Sequence, residues 1–98
     1  MKILALEKEL PGATAEKFRP LLRDEARRAW ELTQTDVLRE AYFHAEQHTA
    51  VLVLECADAA EARRVLETLP LVQAGLIAFD ILPLIPYDGF ARLFEERG

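Results

Sequence analysis

Three side chains at alternate positions, Glu40, Tyr42 and His44, carry the chemical reading of this sequence. On an extended strand, residues two apart share a face and lie about 6–7 Å from one another. The trio therefore sets a carboxylate, a phenol and an imidazole on one wall. That is the equipment for shifting a proton alpha to a carbonyl, which needs a base, an acid for the return and a donor to the enolate oxygen. Glu40 is the expected base. Leu38 beside it and Val53 opposite would partly desolvate its carboxylate and raise its pKa toward a working range. Tyr42 is the expected donor to the enolate oxygen, and His44 the residue that returns the proton or orients the substrate. The plainer reading of the same alternation is a polar strand face turned to water.

Three further residues are candidates for binding the substrate. Asp80 interrupts the apolar run LIAFDIL, where a carboxylate needs a partner or water. Arg39 and His44 are its expected partners, and a role as a pocket acid or as the orienting partner of His44 is the alternative. Glu7 shares a side with Ile3 and Ala5, and reads either as a pocket residue or as a solvated strand end. Arg39 could grip a substrate carboxylate through its planar fork. Alternation puts it opposite Glu40 unless the strand bulges, so an ion pair with a helix acid such as Glu25 is the plainer role. Glu25, Arg27, Arg28 and Glu31 read as a solvated helix face. Phe18, Trp30 and Phe79 read as core.

Metal and cofactor motifs are missing from this pattern. His44 and His48 lie four apart across a hairpin rather than on one helix face. No residue stands out as a haem ligand. Four glycines make no phosphate-binding loop, and Cys56 ends an apolar strand as a small hydrophobe. No metal and no cofactor is expected.

The elements that must position these residues follow from periodicity. Residues 2–9 alternate as a strand ended by Pro11-Gly12. Thr14 caps a helix whose apolar face runs through Phe18, Leu22, Ala26 and Ala29 to an end near Thr33–Thr35. Pro20 has no amide hydrogen, so the helix must break or bend between Phe18 and Leu21. A short turn followed by a main helix opening at Pro20 is the expected solution. Residues 37–45 and 49–56 form a hairpin turning at Glu46-Gln47, with His44 opposite Thr49, Tyr42 opposite Val51 and Glu40 opposite Val53. Asp58 and Glu61 open a second helix over 58–69, near a capping box, with Pro70 just beyond. Residues 76–85 form the last strand, which by Pro83 either leaves the sheet or lies at its edge. Tyr87, Phe90 and Phe94 share a side of a short helical turn, and residues 86–98 are expected to pack as a tail on a barrel end or on a second copy.

Length and charge bound the rest. Ninety-eight residues make one domain, since two halves of about 50 would each sit near the lower limit for an independent core. Hydrophobic residues at 51% exclude a disordered chain. A net charge of −5 leaves no basic stripe for a nucleic-acid backbone. No apolar run approaches the roughly 20 residues of a membrane span, and residues 1–12 do not read as a signal peptide. A single cysteine excludes an internal disulfide, so a cytoplasmic protein is expected.

The order strand, helix, strand, strand, helix, strand is the ferredoxin-like βαββαβ arrangement, an α+β domain over residues 1–98 with a four-stranded antiparallel sheet. Both helices lie on one sheet face, and the other is left apolar. A second copy, sheet against sheet, would cover it.

At this point the chain resembles the muconolactone isomerase-like group of dimeric α/β-barrel proteins. The likeness rests on the element order, on Leu10-Pro11 closing the first strand, on Glu67-Thr68-Leu69-Pro70-Leu71, and on Ile77 through Asp80 in a final strand ended by proline. Two segments depart from the isomerase pattern: Arg39 to His44, where the isomerases are rich in tryptophan, and Tyr87-Asp88-Gly89-Phe90. The resemblance implies a homodimer or an assembly of dimers. It also implies a cofactor-independent proton shift in a small apolar carbonyl or lactone compound. A non-catalytic ligand-binding or assembly module and a cofactorless monooxygenase are the alternatives on the same barrel.

Overall fold

A computed structural model describes residues 1–95. Strand β1 (Lys2–Glu9) is followed by helix α1 (Ala15–Phe18), a 3-10 turn at Arg19–Leu21 and helix α2 (Leu22–Gln34). Then come β2 (Leu38–Phe43), β3 (Ala50–Glu55), α3 (Ala59–Leu66), α4 (Pro70–Gln73), β4 (Ile77–Leu84) and a closing 3-10 segment at Gly89–Phe94. The sheet is antiparallel in the order β2-β3-β1-β4, so β1 and β3 lie inside and β2 and β4 lie at the edges. This is the expected α+β ferredoxin-like domain.

Pro20 interrupts the first helical stretch inside the interval the sequence marks out. It sits in the 3-10 turn between α1 and α2, and the main helix opens two residues later than expected, at Leu22. The Thr14 hydroxyl accepts from the Lys17 amide and closes the α1 start. At α3 the cap is reciprocal. Asp58 Oδ1 accepts from the Glu61 amide at 2.8 Å, and Glu61 Oε2 reaches back to the Ala57 amide at 2.8 Å. The second helix is shorter than its sequence pattern. It ends at Leu66, and Pro70 starts the separate turn α4 rather than simply stopping the chain.

The core lies on the helix-bearing face of the sheet. Ile3 and Ala5 of β1 and Leu54 of β3 are sealed there with Leu32, Ala62, Leu66 and Leu69. A smaller cluster of Leu71, Leu76 and Ile77 closes the end near α4, with Phe18 and Phe79 packed against it. Trp30 departs from its expected place. It is 62% exposed, because Ala29 and Leu32 point α2 at the sheet and Trp30 falls beside that stripe.

The opposite sheet face carries no helix. Cross-strand register sets Leu4 with Val53 and Leu82, Leu6 with Val51 and Asp80, and Lys2 with Leu84 on it. Beyond β4 the chain leaves the sheet. Tyr87 is 71% exposed and Phe94 84%, and Gly89–Phe94 makes at most glancing contact with other elements. Tyr87 instead folds over Gly89, the one buried residue there, and meets the Phe90 ring edge-on at 4.8 Å. The radius of gyration, 16.7 Å, exceeds the roughly 13 Å of a compact chain this long, and the extents are 63 × 28 × 22 Å. Residues 96–98 of the expected tail lie outside the described residues.

Candidate active-site cavity between sheet and helices

A cavity of about 790 Å³ lies between the helix layer and the sheet. It exists because the sheet-facing stripe of α2 tapers to small residues toward the start of the helix. Ala26 and Ala29 face β2 and β3 across a gap that Leu38, Ala41 and Leu52 do not fill. Phe18 and Phe79 close one side of the cavity and Phe43 borders another. The volume falls within the usual range of small-ligand sites, and the apolar lining with a few polar groups is their usual chemistry.

Two of those polar groups are carboxylates brought in by different elements. Glu7 continues the inward face of β1 beyond Ile3 and Ala5, and its Oε1 accepts from the Ala50 amide at 3.0 Å. Glu25 points from α2, and its Oε1 accepts from the Leu71 amide at 2.9 Å. Burial holds the Glu25 carboxyl above its usual 4.5. The Leu71 amide works against that rise and the negative charge of Glu7 adds to it. Neither carboxylate has an ion-pair partner among the described residues, whereas Asp24, Glu31, Glu55 and Asp80 each have one. At the edge, the His48 ring stacks on Phe43 with centroids 4.1 Å apart and planes 17° from parallel. Arg19 and Thr14 complete the polar lining near α1.

By sequence, the chain matches no protein-family model and no curated protein. By structure, it superposes on muconolactone isomerase with a TM-score of 0.74, at 19% identity, over 90% of this chain and 92% of the other. The chain has the muconolactone isomerase fold. It shares that fold with 5-chloro-2-hydroxyhydroquinone dehydrochlorinase from Burkholderia phenoliruptrix, solved with 2,5-dihydroxybenzoquinone. There the TM-score is 0.70, at 16% identity, over 91% of this chain and 98% of the other.

Within this muconolactone isomerase fold, a bulge decides where the other expected residues fall. Leu38 pairs with Leu54 but Glu40 pairs with Val53, so Arg39 is the extra residue. Leu38 therefore faces the helices, while Glu40, opposite Val53, and Tyr42, opposite Val51, belong to the helix-free face. Those two are brought together, Tyr42 Oη donating to Glu40 Oε1 at 2.6 Å, and the carboxylate holds the phenol above its usual pKa. Tyr42 also borders the cavity along the β2 edge.

His44 is turned away from that pair. Its Nδ1 accepts from the Glu46 and Gln47 amides at 3.1 and 3.0 Å and pins the hairpin turn, which His48 completes at a positive φ of 57°. Arg39 Nε donates to the Asp36 carbonyl at 2.6 Å rather than to Glu25. Asp80 pairs with Lys8 on the neighbouring strand at 2.9 Å, rather than with Arg39 or His44. Of the expected site residues, Glu7 and Tyr42 border the cavity. The principal residue that the sequence reading passes over is Glu25. Its neighbours Arg23, Asp24 and Arg27 are exposed and charged, which disguises an inward acid. Spacing held the signal: Glu25 lies three and four residues from Leu22, Ala29 and Leu21, on the apolar stripe.

Proposed function

We propose that this chain is a cofactor-independent enzyme that moves a proton within a small, apolar ring carbonyl or lactone compound, with Glu25 as the base. The observation that carries the reading is a half-buried carboxylate of raised pKa on the wall of an apolar, ligand-sized cavity. Glu25 takes a proton from a carbon alpha to the carbonyl. The C–H bond breaks and its electrons pass to the oxygen as an enolate. The Glu25 acid then returns the proton to another carbon as the electrons come back, so the product is an isomer and no oxidant is consumed. Arg19 and His48 are available to donate to the enolate oxygen, and Glu7 keeps Glu25 basic through its charge. One structural neighbour is named as an isomerase and the other as a dehydrochlorinase, and both names fit carbon-acid chemistry.

A second reading keeps Glu40 as the base. The 2.6 Å bond between Tyr42 and Glu40 favours it, because it sets a carboxylate beside a phenol donor on the helix-free face, and a second sheet would enclose them. One experiment separates the two: proton–deuterium exchange at the alpha carbon of a panel of lactones and cyclic enones, followed by NMR. Glu25→Gln should lower exchange by at least about 10²-fold, with Glu40→Gln leaving it within threefold. The reverse pattern would assign the base to Glu40. Exchange unchanged in both variants would remove both residues as the base, and exchange by the parent no faster than in buffer alone would favour a ligand-binding module.

The helix-free face is too apolar for water, with Leu4, Leu6, Val51, Val53, Leu82 and Leu84 on it, and a homodimer joined through this face is part of the proposal. The tail would then lie along the partner. A reducing compartment such as the cytoplasm suits the buried free thiol of Cys56, and among the described residues no helix is long and apolar enough to cross a membrane.

A further inference from the structure

The turn between β2 and β3 is built around His44. Its amide donates to the Thr49 carbonyl at 2.7 Å, and its carbonyl accepts from the His48 amide at 2.9 Å. Its ring closes the turn from inside, Nδ1 accepting from both the Glu46 and the Gln47 amide. A ring nitrogen accepts only when it carries no hydrogen, so these bonds require the neutral ring with its hydrogen on Nε2. The turn is also part of the cavity. His48, held at a φ of 57° where residues other than glycine rarely rest, stacks on Phe43, and both rings border the cavity. Immediately after Thr49, the Ala50 amide donates to Glu7 on the same wall.

We propose that His44 is a positioning residue for this cavity: its neutral ring holds the turn that carries His48, and its protonation releases the turn and loosens the wall. The last step rests on the cavity being the ligand site. Histidine takes up a second proton in mildly acid solution. Nδ1 then becomes a donor facing two donors, and both bonds are lost together. His44 has no ion-pair partner among the described residues, so no carboxylate compensates for the charged ring. The other ionisable groups around the turn are Glu46 and His48 on it, Glu40 on β2, Glu7 and Glu9 at the end of β1, and Glu25 across the cavity. Protonation of Glu7 or Glu25 removes charge from an apolar wall and favours an apolar ligand, which is the opposite sense to release of the turn.

Ring-nitrogen NMR of His44 tests the turn, and calorimetry with alpha-tetralone, a ring ketone with no titrating group, tests the wall. At pH 8 the ring should carry its hydrogen on Nε2. Between pH 8 and pH 5.5 the Glu46 and Gln47 amide signals should move in step with the His44 ring. Over the same interval tetralone affinity should fall at least about tenfold, as expected for the loss of two hydrogen bonds. His44→Asn offers an oxygen to the same amides and has no proton to gain, so its affinity should change less than about twofold over that interval. His48 and Glu25 remain in that variant, so a fall in affinity that survives it belongs to them and overturns the proposal. A hydrogen on Nδ1 at pH 8, or amide signals that ignore the ring, overturns it as well. So does an unchanged affinity while the ring and turn titrate. Tetralone that fails to bind at pH 8 would overturn the ligand-site reading and the last step with it, while the ring and amide signals still decide whether His44 holds the turn.

Discussion

The Glu25 carboxylate and the Leu71 amide, 2.9 Å apart, join the first turn of α2 to the first turn of α4 on the wall of the cavity. The bond does two opposed things. It supplies a donor that favours the ionised carboxylate, and it fixes that carboxylate where burial disfavours ionisation. Burial wins, which leaves a base stronger than a surface glutamate and held in one orientation.

The pH dependence of turnover should carry this signature. Activity requires ionised Glu25, so the rate should rise with pH through a limb lying above 4.5. Glu7 contributes to the upward displacement, so Glu7→Gln should move the acid limb of kcat/KM to lower pH. A limb that stays in place in the variant would remove Glu7 from this role.

Stability should respond in the opposite sense. A carboxyl whose folded pKa lies above its unfolded value stabilises the fold below the unfolded value, and that contribution is lost as pH rises through the folded value. Melting temperatures of the parent and of Glu25→Gln, measured from pH 3.5 to pH 8, should therefore diverge. The parent should lose stability relative to the variant as pH rises through the window beginning at 4.5. Parallel curves would mean that Glu25 is solvated.

The α3 cap offers a test that does not touch the cavity. Asp58→Ala removes the bond to the Glu61 amide and should cost about 1 kcal/mol, read by urea unfolding. Glu61→Gln keeps a side-chain acceptor for the Ala57 amide and should cost less. Equal losses in both variants would point to charge at the helix start rather than to the geometry of the cap.

Much of the fold was legible because local chemistry and the global arrangement agree. Proline at position 20, the Asp58–Glu61 spacing and the alternation in β1 each leave few local solutions, and the structure adopts one of them in each case. The hairpin register was legible because the loop length left little choice, and Glu40 opposite Val53 follows from it. The faces of β2 were not, because one added residue at Arg39 breaks the rule that positions two apart share a side. That break separates Leu38 from Glu40, so the apolar flank expected to desolvate Glu40 faces the helices. Glu25 was hidden for a different reason. A helix can bury one acid among exposed charges when a backbone amide from a distant turn is waiting, and the Leu71 amide lies 46 residues on.

The tail tests the assembly. Deleting residues 86–98 removes Tyr87, Phe90, Leu93 and Phe94, all exposed on one chain. If they bury against a second copy, each aromatic contributes about 1.5–3 kcal/mol, and truncation should shift a dimer toward monomer at micromolar concentration. Sedimentation equilibrium before and after truncation reads this directly. A truncated chain that associates as tightly as the parent would place the whole interface on the sheet.

The extents of 63 × 28 × 22 Å bear on how that association must be measured. A particle more than twice as long as it is wide experiences more friction than a sphere of its mass. Gel filtration ranks molecules by hydrodynamic radius, so a lone chain with its tail outstretched elutes early and imitates a larger species. A pair of chains with both tails folded back is rounder and elutes late for its mass. The two errors run toward each other, so monomer and dimer converge on a column even when their masses differ twofold, and scattering or sedimentation separates them by weighing the particle.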